Sequence, residues 1–312
     1  MTTGVAGEGA VLNRTALAQY QAKREKWMRW YSLDEHEPNS IERQIASMVF
    51  LDMTYCILAE ARIDTDGASV AAASGFLANF LDHGYVATQV LAIRRLLDNR
   101  SDVISVRRLL KDIKKSRHLL TREIYVSHDG LPYDFEGFLH CHSNAVGTLG
   151  LSTPLEGAAF IASSRHRNFD LLCGSLAPNR KRDDIINKRV FERLEEWLDT
   201  TVAEKLNDLS NRFFAHASEM NSVGSLACSD ILLADISEAQ RSIIRVEQAI
   251  TDLLLCIGEK RDVVPRPPIG FLRGLDRPYS AAGAIAGLEE KWRQLAAEKN
   301  SWRSGIAEDL FG

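Results

Sequence analysis

The sequence predicts an all-α protein, because apolar residues recur at spacings of three and four through most of the chain and alternating, strand-like runs are nearly absent. Two narrow apolar seams reinforce that reading. One runs Val103, Val106, Leu110, Ile113 and the other Ile243, Val246, Ile250, Leu253, Ile257, each the signature of a helix packed against a partner helix. A chain of 312 residues, 45% hydrophobic and 26% charged, carries enough apolar content for one large core or two modest ones. The expected layout is a flexible tail over 1–14 and a single helical bundle domain over 15–262 interrupted by an irregular insertion at 119–153. An extended Pro-rich arm with a C-terminal helix then occupies 263–312.

In chain order, a first amphipathic helix is expected over 17–31, followed by a break at 37–40 in which Asn39 or Ser40 caps the next helix. Helices over 41–62 and 70–99 follow, joined by a turn at 64–67. Both are apolar around much of their circumference, with Val49, Tyr55, Cys56, Phe76, Phe80, Val90 and Leu97 as core candidates. Asp102 is the expected cap of the helix that carries the first seam. Glycines and prolines over 119–153 predict an irregular excursion with room for one short helix. Helical periodicity resumes over 154–173 and again from 182 to about 220, where Ile185, Val190, Leu194, Trp197, Leu198 and Val202 form the apolar face. Four prolines, Pro265, Pro267, Pro268 and Pro278, mark an extended arm whose Phe271, Leu272 and Tyr279 need a groove, and an Ala-rich helix over 281–299 precedes a short tail.

Arg, Asp, Glu, His or Gly breaks every apolar run short of the roughly 20 residues a bilayer helix needs, so no membrane span is expected. The Gly-rich start lacks the order of a secretory signal, so a cytoplasmic location is expected. Five cysteines, odd in number and widely spaced, fit reduced structural thiols. His140, Cys141 and His142 offer three metal ligands, yet no paired Cys or His cluster stands at a zinc-site spacing elsewhere, so neither metal nor cofactor is expected. No phosphate-binding loop, dinucleotide fingerprint or nucleophile elbow is present.

The constellation with most chemistry is Asn211-Arg212-Phe213-Phe214-Ala215-His216, since Arg212 and His216 stand four apart and share one helix face. His216 can move the proton of a ribose hydroxyl or of the leaving oxygen, Arg212 can stabilise charge on phosphorus, and Asn211 can orient either, with no metal required. The structural alternative pairs Arg212 with Asp208 and leaves His216 as a packing residue. A basic run from Arg94 to His118 is the second feature. On it, Arg107, Arg108, Lys111, Lys114, Lys115 and His118 are candidate phosphate-contacting residues, against the alternative of a solvated face. Arg165, Arg167, Arg180, Lys181 and Arg182 form another basic group that can extend the stripe. Asp52 and His83 interrupt apolar stripes, and a buried Asp is expected to meet a His or Arg.

The FFAHA run of Phe213 to Ala217, late in a helical segment, resembles the HEPN superfamily of helical nucleotide-binding proteins. The segments Leu91 to Asp98 and Asp102 to Leu110 are similar to its abortive-infection U branch. The resemblance covers parts of 41–260 and implies an HEPN-like bundle, a symmetric homodimer and, in active members, a metal-independent endoribonuclease used in phage defence or as a toxin. Active members place an Arg, four to six residues, then the His, so with His216 as that His the positions hold Asn211, Ser210 and Leu209, and Arg212 is one residue too close. Arg122 and His128 do have that spacing, but their surroundings read as loop or short strand. The competing function is a non-catalytic helical scaffold or immunity protein that binds a partner protein.

Overall fold

The computed structural model describes residues 14–31, 39–61, 75–134, 154–200, 205–206, 232–257, 262–273 and 285–312. The protein is all-α: among the described residues the only β-type pairing is an isolated antiparallel bridge between Thr121 and Ile185. The chain divides into two compact units, each discontinuous in sequence, one made of 1–28 and 112–190 and the other of 29–111 and 191–312.

The first unit draws on helix α1 (Arg14–Tyr31) up to Met28, the end of α4 (Val106–Lys115), the short α5 (Arg122–Ser127), α6 (Pro154–Cys173) and the start of α7 (Lys188–Leu198). Aromatic residues fill it: Tyr20, Trp27, Tyr125 and Phe169 are all buried, with Leu172 and Ile186 beside them. α5 is a short helix within the described part of the 119–153 stretch, and its first-turn donors are satisfied. Thr121 Oγ1 caps Ile124 N, while Arg122 N and Glu123 N donate to the backbone carbonyls of Asp184 and Arg182 at 2.9 and 3.0 Å. The expectation of loop or strand around Arg122 and His128 is therefore corrected: 122–127 is helical and His128 is its C-cap.

In the second unit α2 (Ile41–Ala61) packs against α3 (Gly75–Leu97) and α9 (Ile285–Ser301), and α3 also meets α8 (Leu233–Gln248). Met48, Val49, Met53, Val90, Ile93, Leu96, Ile243 and Val246 are buried between them. Within this apolar core Gln240 Nε2 donates to Gln89 Oε1 at 3.0 Å and Gln89 Nε2 donates to the Met48 carbonyl at 3.1 Å. A buried amide must be paired in this way to offset its desolvation. α2 has the length and hydropathy of a membrane span, unlike the expectation that every apolar stretch falls short. Nine of its residues are nevertheless buried inside the protein, Asp52 among them.

Several elements depart from expectation. Ser40 caps α2, its hydroxyl accepting from Arg43 N, but α4 begins at Val106 with Ser105, not Asp102, as its cap, because Ser105 Oγ accepts from Arg108 N at 3.1 Å while Asp102 is exposed. Phe80, expected in the core, is 65% exposed. α7 starts at Lys188, so Ile185 stands before the helix in the bridge and is exposed. The second seam runs through α8 into a π-helical turn over Ala249–Leu254, which ends at Cys256 with φ 48°. In the described part of the Pro-rich arm Leu272 is buried and Phe271 packs edge-on to Trp292 at 4.9 Å, while Pro278 and Tyr279 lie outside the described residues. The tail is not plain coil, since Gly305, at φ 72°, releases the chain into α10 (Ile306–Phe311).

Candidate functional site

Asn211, Arg212 and His216, like His140, Cys141 and His142, lie outside the described residues. Among the described residues no group of His, Cys, Asp or Glu side chains is arranged to hold a metal ion. Among the described residues Cys56, Cys173 and Cys256 form no disulfide.

The basic run is described in full. Arg107 is committed within its unit, donating to Asp199 Oδ1 at 2.6 Å and to the Leu198 carbonyl at 3.0 Å. Arg108 lies over the Trp30 ring at 4.1 Å and bonds the Val103 carbonyl. Lys111, Lys115 and His118 are exposed, Lys111 reaching Asn99 Oδ1 at 3.4 Å, and Lys114 is half-buried. Asp112, the acid within α4, is turned toward α1, where Trp27 Nε1 donates to it at 2.8 Å and Lys23 at 3.2 Å. Burial raises its carboxyl pKa, but the bonds from Trp27 and Lys23 and the charges of Lys23 and Lys26 outweigh that and hold it below the ordinary value. The acid is thus bound up by other groups, and the exposed side of α4 keeps its positive charge.

The second basic group does not form a free cationic surface. Arg165 is buried and holds both oxygens of Asp129, at 2.8 and 2.7 Å, while also donating to the Val126 carbonyl. Arg180 clamps Asp170, and Arg182 bonds Glu123 at 2.6 Å and covers the Tyr133 ring. Arg167 and Lys181 are exposed.

At the centre of this unit stands a cluster that sequence reasoning missed. Arg122 is fully buried, and its guanidinium donates to Asp184 Oδ2 at 3.0 Å, Asp170 Oδ1 at 2.7 Å, Ser175 Oγ, Cys173 Sγ at 3.1 Å and the His166 carbonyl at 3.4 Å. All three nitrogens of the fork are occupied, so the group is a structural clasp tying α5, α6 and the 175–184 loop together. His128 is not within its reach. Its Nδ1 faces the Tyr125 carbonyl at 3.1 Å and its ring packs edge-on to Tyr20. The Arg122 and His128 pair therefore has the spacing of an active-site motif and the surroundings of a core.

Burial first, then the charges of Arg165 and Arg24, push His128 down to about 4, against the Tyr125 carbonyl and Asp129. A depressed histidine stabilises the fold fully above its unfolded pKa and loses that contribution as the pH falls through the folded value. Between pH about 6.5 and 4 the unfolded chain binds the extra proton, which costs the fold at most about 3 kcal/mol, or about 2 once partial solvent access is allowed for. Denaturant titrations across this window should show that decline, and His128→Gln should flatten it; an unchanged slope in the variant would assign the decline to other groups.

No family model, curated protein or solved structure matches this chain.

Proposed function

We propose that the chain is an HEPN-like RNA-binding protein of the cytoplasm that acts as a homodimer, with metal-independent cleavage by His216 and Arg212 as its activity. The observation that carries the binding half is the charge on α4: Lys111, Lys115 and His118 face solvent while Asp112 is engaged by Trp27 and Lys23. Cations so displayed can contact phosphates without regard to base sequence. The cleavage half rests on the FFAHA resemblance and on the chemistry of its residues: His216 takes the 2′-hydroxyl proton, the freed oxygen attacks phosphorus, and the 5′-oxygen leaves with a proton.

Purified protein should cleave a mixed RNA pool in EDTA, and His216→Ala should lower the rate by about 10²- to 10⁴-fold, with Arg212→Ala also strongly impaired. Replacing Lys111, Lys115 and His118 together by Ala should weaken RNA binding and reduce the slope of log affinity against log salt by roughly two. No cleavage, or cleavage indifferent to both changes, overturns the nuclease.

A second reading, a scaffold that binds a partner protein, is favoured by one observation. Arg107, Arg108, Arg165, Arg180 and Arg182, all candidates for a cationic surface, are engaged within the fold. Failure of the unaltered chain to bind RNA would select it.

A further inference from the structure

Arg108 differs from Arg107, Arg165, Arg180 and Arg182 in the chemistry of its partners. Each of those four holds a carboxylate, on Asp199, Asp129, Asp170 and Glu123 in turn. Arg108 is held by neutral groups alone. Its guanidinium carbon lies 4.1 Å from the centre of the Trp30 ring, and Nη1 donates to the Val103 carbonyl. The two contacts order a side chain that is otherwise rich in rotamers, and among the described residues no acid neutralises it. Arg108 and Trp30 are both half-exposed. Lys111 follows three positions later on the same face of α4, is exposed, and bonds the neutral amide of Asn99 at 3.4 Å. All of these residues belong to the second unit.

We propose that Arg108 and Trp30 form a base-stacking subsite, in which an unpaired base lies on the guanidinium plane backed by the indole and an adjoining phosphate meets Lys111. The proposal rests on the RNA-binding reading and says which part of the RNA the start of α4 takes. Guanidinium planes and aromatic rings stack bases, and because every base has a π face the contact selects unpaired over paired nucleotides without selecting sequence. A carboxylate on Arg108 would cancel the charge that draws RNA to it; a ring and a carbonyl leave that charge in place. Because the guanidinium is ordered before RNA arrives, less entropy is lost on binding. Arg108 and Lys111 are about 4.5 Å apart along the helix axis, so the base and phosphate of neighbouring nucleotides reach both. Arg108 contributes through its plane and Lys111 through its charge, and the two contributions separate experimentally.

The probes are a labelled 2′-O-methyl oligoadenylate, which cannot be cleaved through its 2′-oxygen, an abasic strand of the same length and charge, and the oligoadenylate paired with its 2′-O-methyl complement. Fluorescence anisotropy with the full chain should show the single-stranded oligoadenylate binding about tenfold more tightly than the abasic strand. Arg108→Lys, which keeps the charge and removes the plane, should abolish that preference by weakening the oligoadenylate alone, and Trp30→Leu should reduce it. Lys111→Ala should instead weaken both strands and lower the slope of log affinity against log salt by about 0.7. An unchanged circular dichroism spectrum verifies folding of each variant. Equal binding of the two strands by the unaltered chain, a preference that Arg108→Lys retains, or an equal loss on the duplex in that variant overturns the subsite and leaves the RNA reading standing. Binding of no strand overturns both.

Discussion

Arg122→Met is expected to destabilise the protein by about 3 kcal/mol, at the lower end of the 3–5 kcal/mol that removal of one partner from a buried ion pair costs. The guanidinium is wholly buried and serves two carboxylates, so its loss strands Asp170 and Asp184. Two facts moderate the cost. Asp170 retains Arg180 at 2.7 Å, and both acids keep some solvent contact, with side chains 17% and 19% exposed. Asp184 also keeps the backbone N–H of Lys181. The clasp predicts a compensation: adding Asp184→Asn to Arg122→Met should recover about 1 kcal/mol, because the amide is cheaper to leave in place than the stranded charge. Denaturant unfolding of the single and double variants checks both numbers, and a single-variant loss below about 1 kcal/mol would mean that the clasp is redundant.

What was legible in the sequence was what repeats locally. The helical period announced α2 and the α4 seam, and Ser40 and Leu272 could be placed from their immediate neighbours. What was not legible depends on distant partners. Arg122 reads as a loop cation in sequence, because the acids that bury it lie 48 and 62 residues further on. Phe80 has the right period for the core, but periodicity names a face and not what covers it. Asp102 and Ser105 are both good caps, and only the backbone geometry decides between them. The six-residue helices α5 and α10 are shorter than two turns, too short for a period to show. Of the candidate site, the cations of α4 were identified by type, but the removal of Arg107 and Arg108 into contacts with Asp199 and Trp30 was not, since those partners stand far off in sequence, just past the end of α7 and on α1.

The same limit applies to Asp52, whose need for a partner was evident and whose partner was not. The expectation of a His or Arg is corrected: Lys299 Nζ, from α9, lies 2.7 Å from Asp52 Oδ2, and the Tyr85 hydroxyl donates to Oδ1. Both charged side chains are only 3% exposed, so water offers no relief to a survivor. Lys299→Met is therefore expected to cost about 4–5 kcal/mol, more than Arg122→Met, since among the described residues nothing but Tyr85 remains to hold the carboxylate. Such a loss is a large part of the stability of an ordinary domain. If the penalty is the stranded charge, removing it restores stability: Lys299→Met with Asp52→Leu should regain about 1–4 kcal/mol of the loss. It leaves about 1–3 kcal/mol outstanding for the Tyr85 hydroxyl, now buried without its acceptor. Adding Tyr85→Phe should recover that remainder. Thermal and denaturant unfolding of the three proteins decide the matter. If the double variant is no better than Lys299→Met, the penalty is the lost cation–π contact of Nζ with the Trp302 ring, whose centre lies 4.4 Å away, and the ion pair contributes little to the attachment of α9.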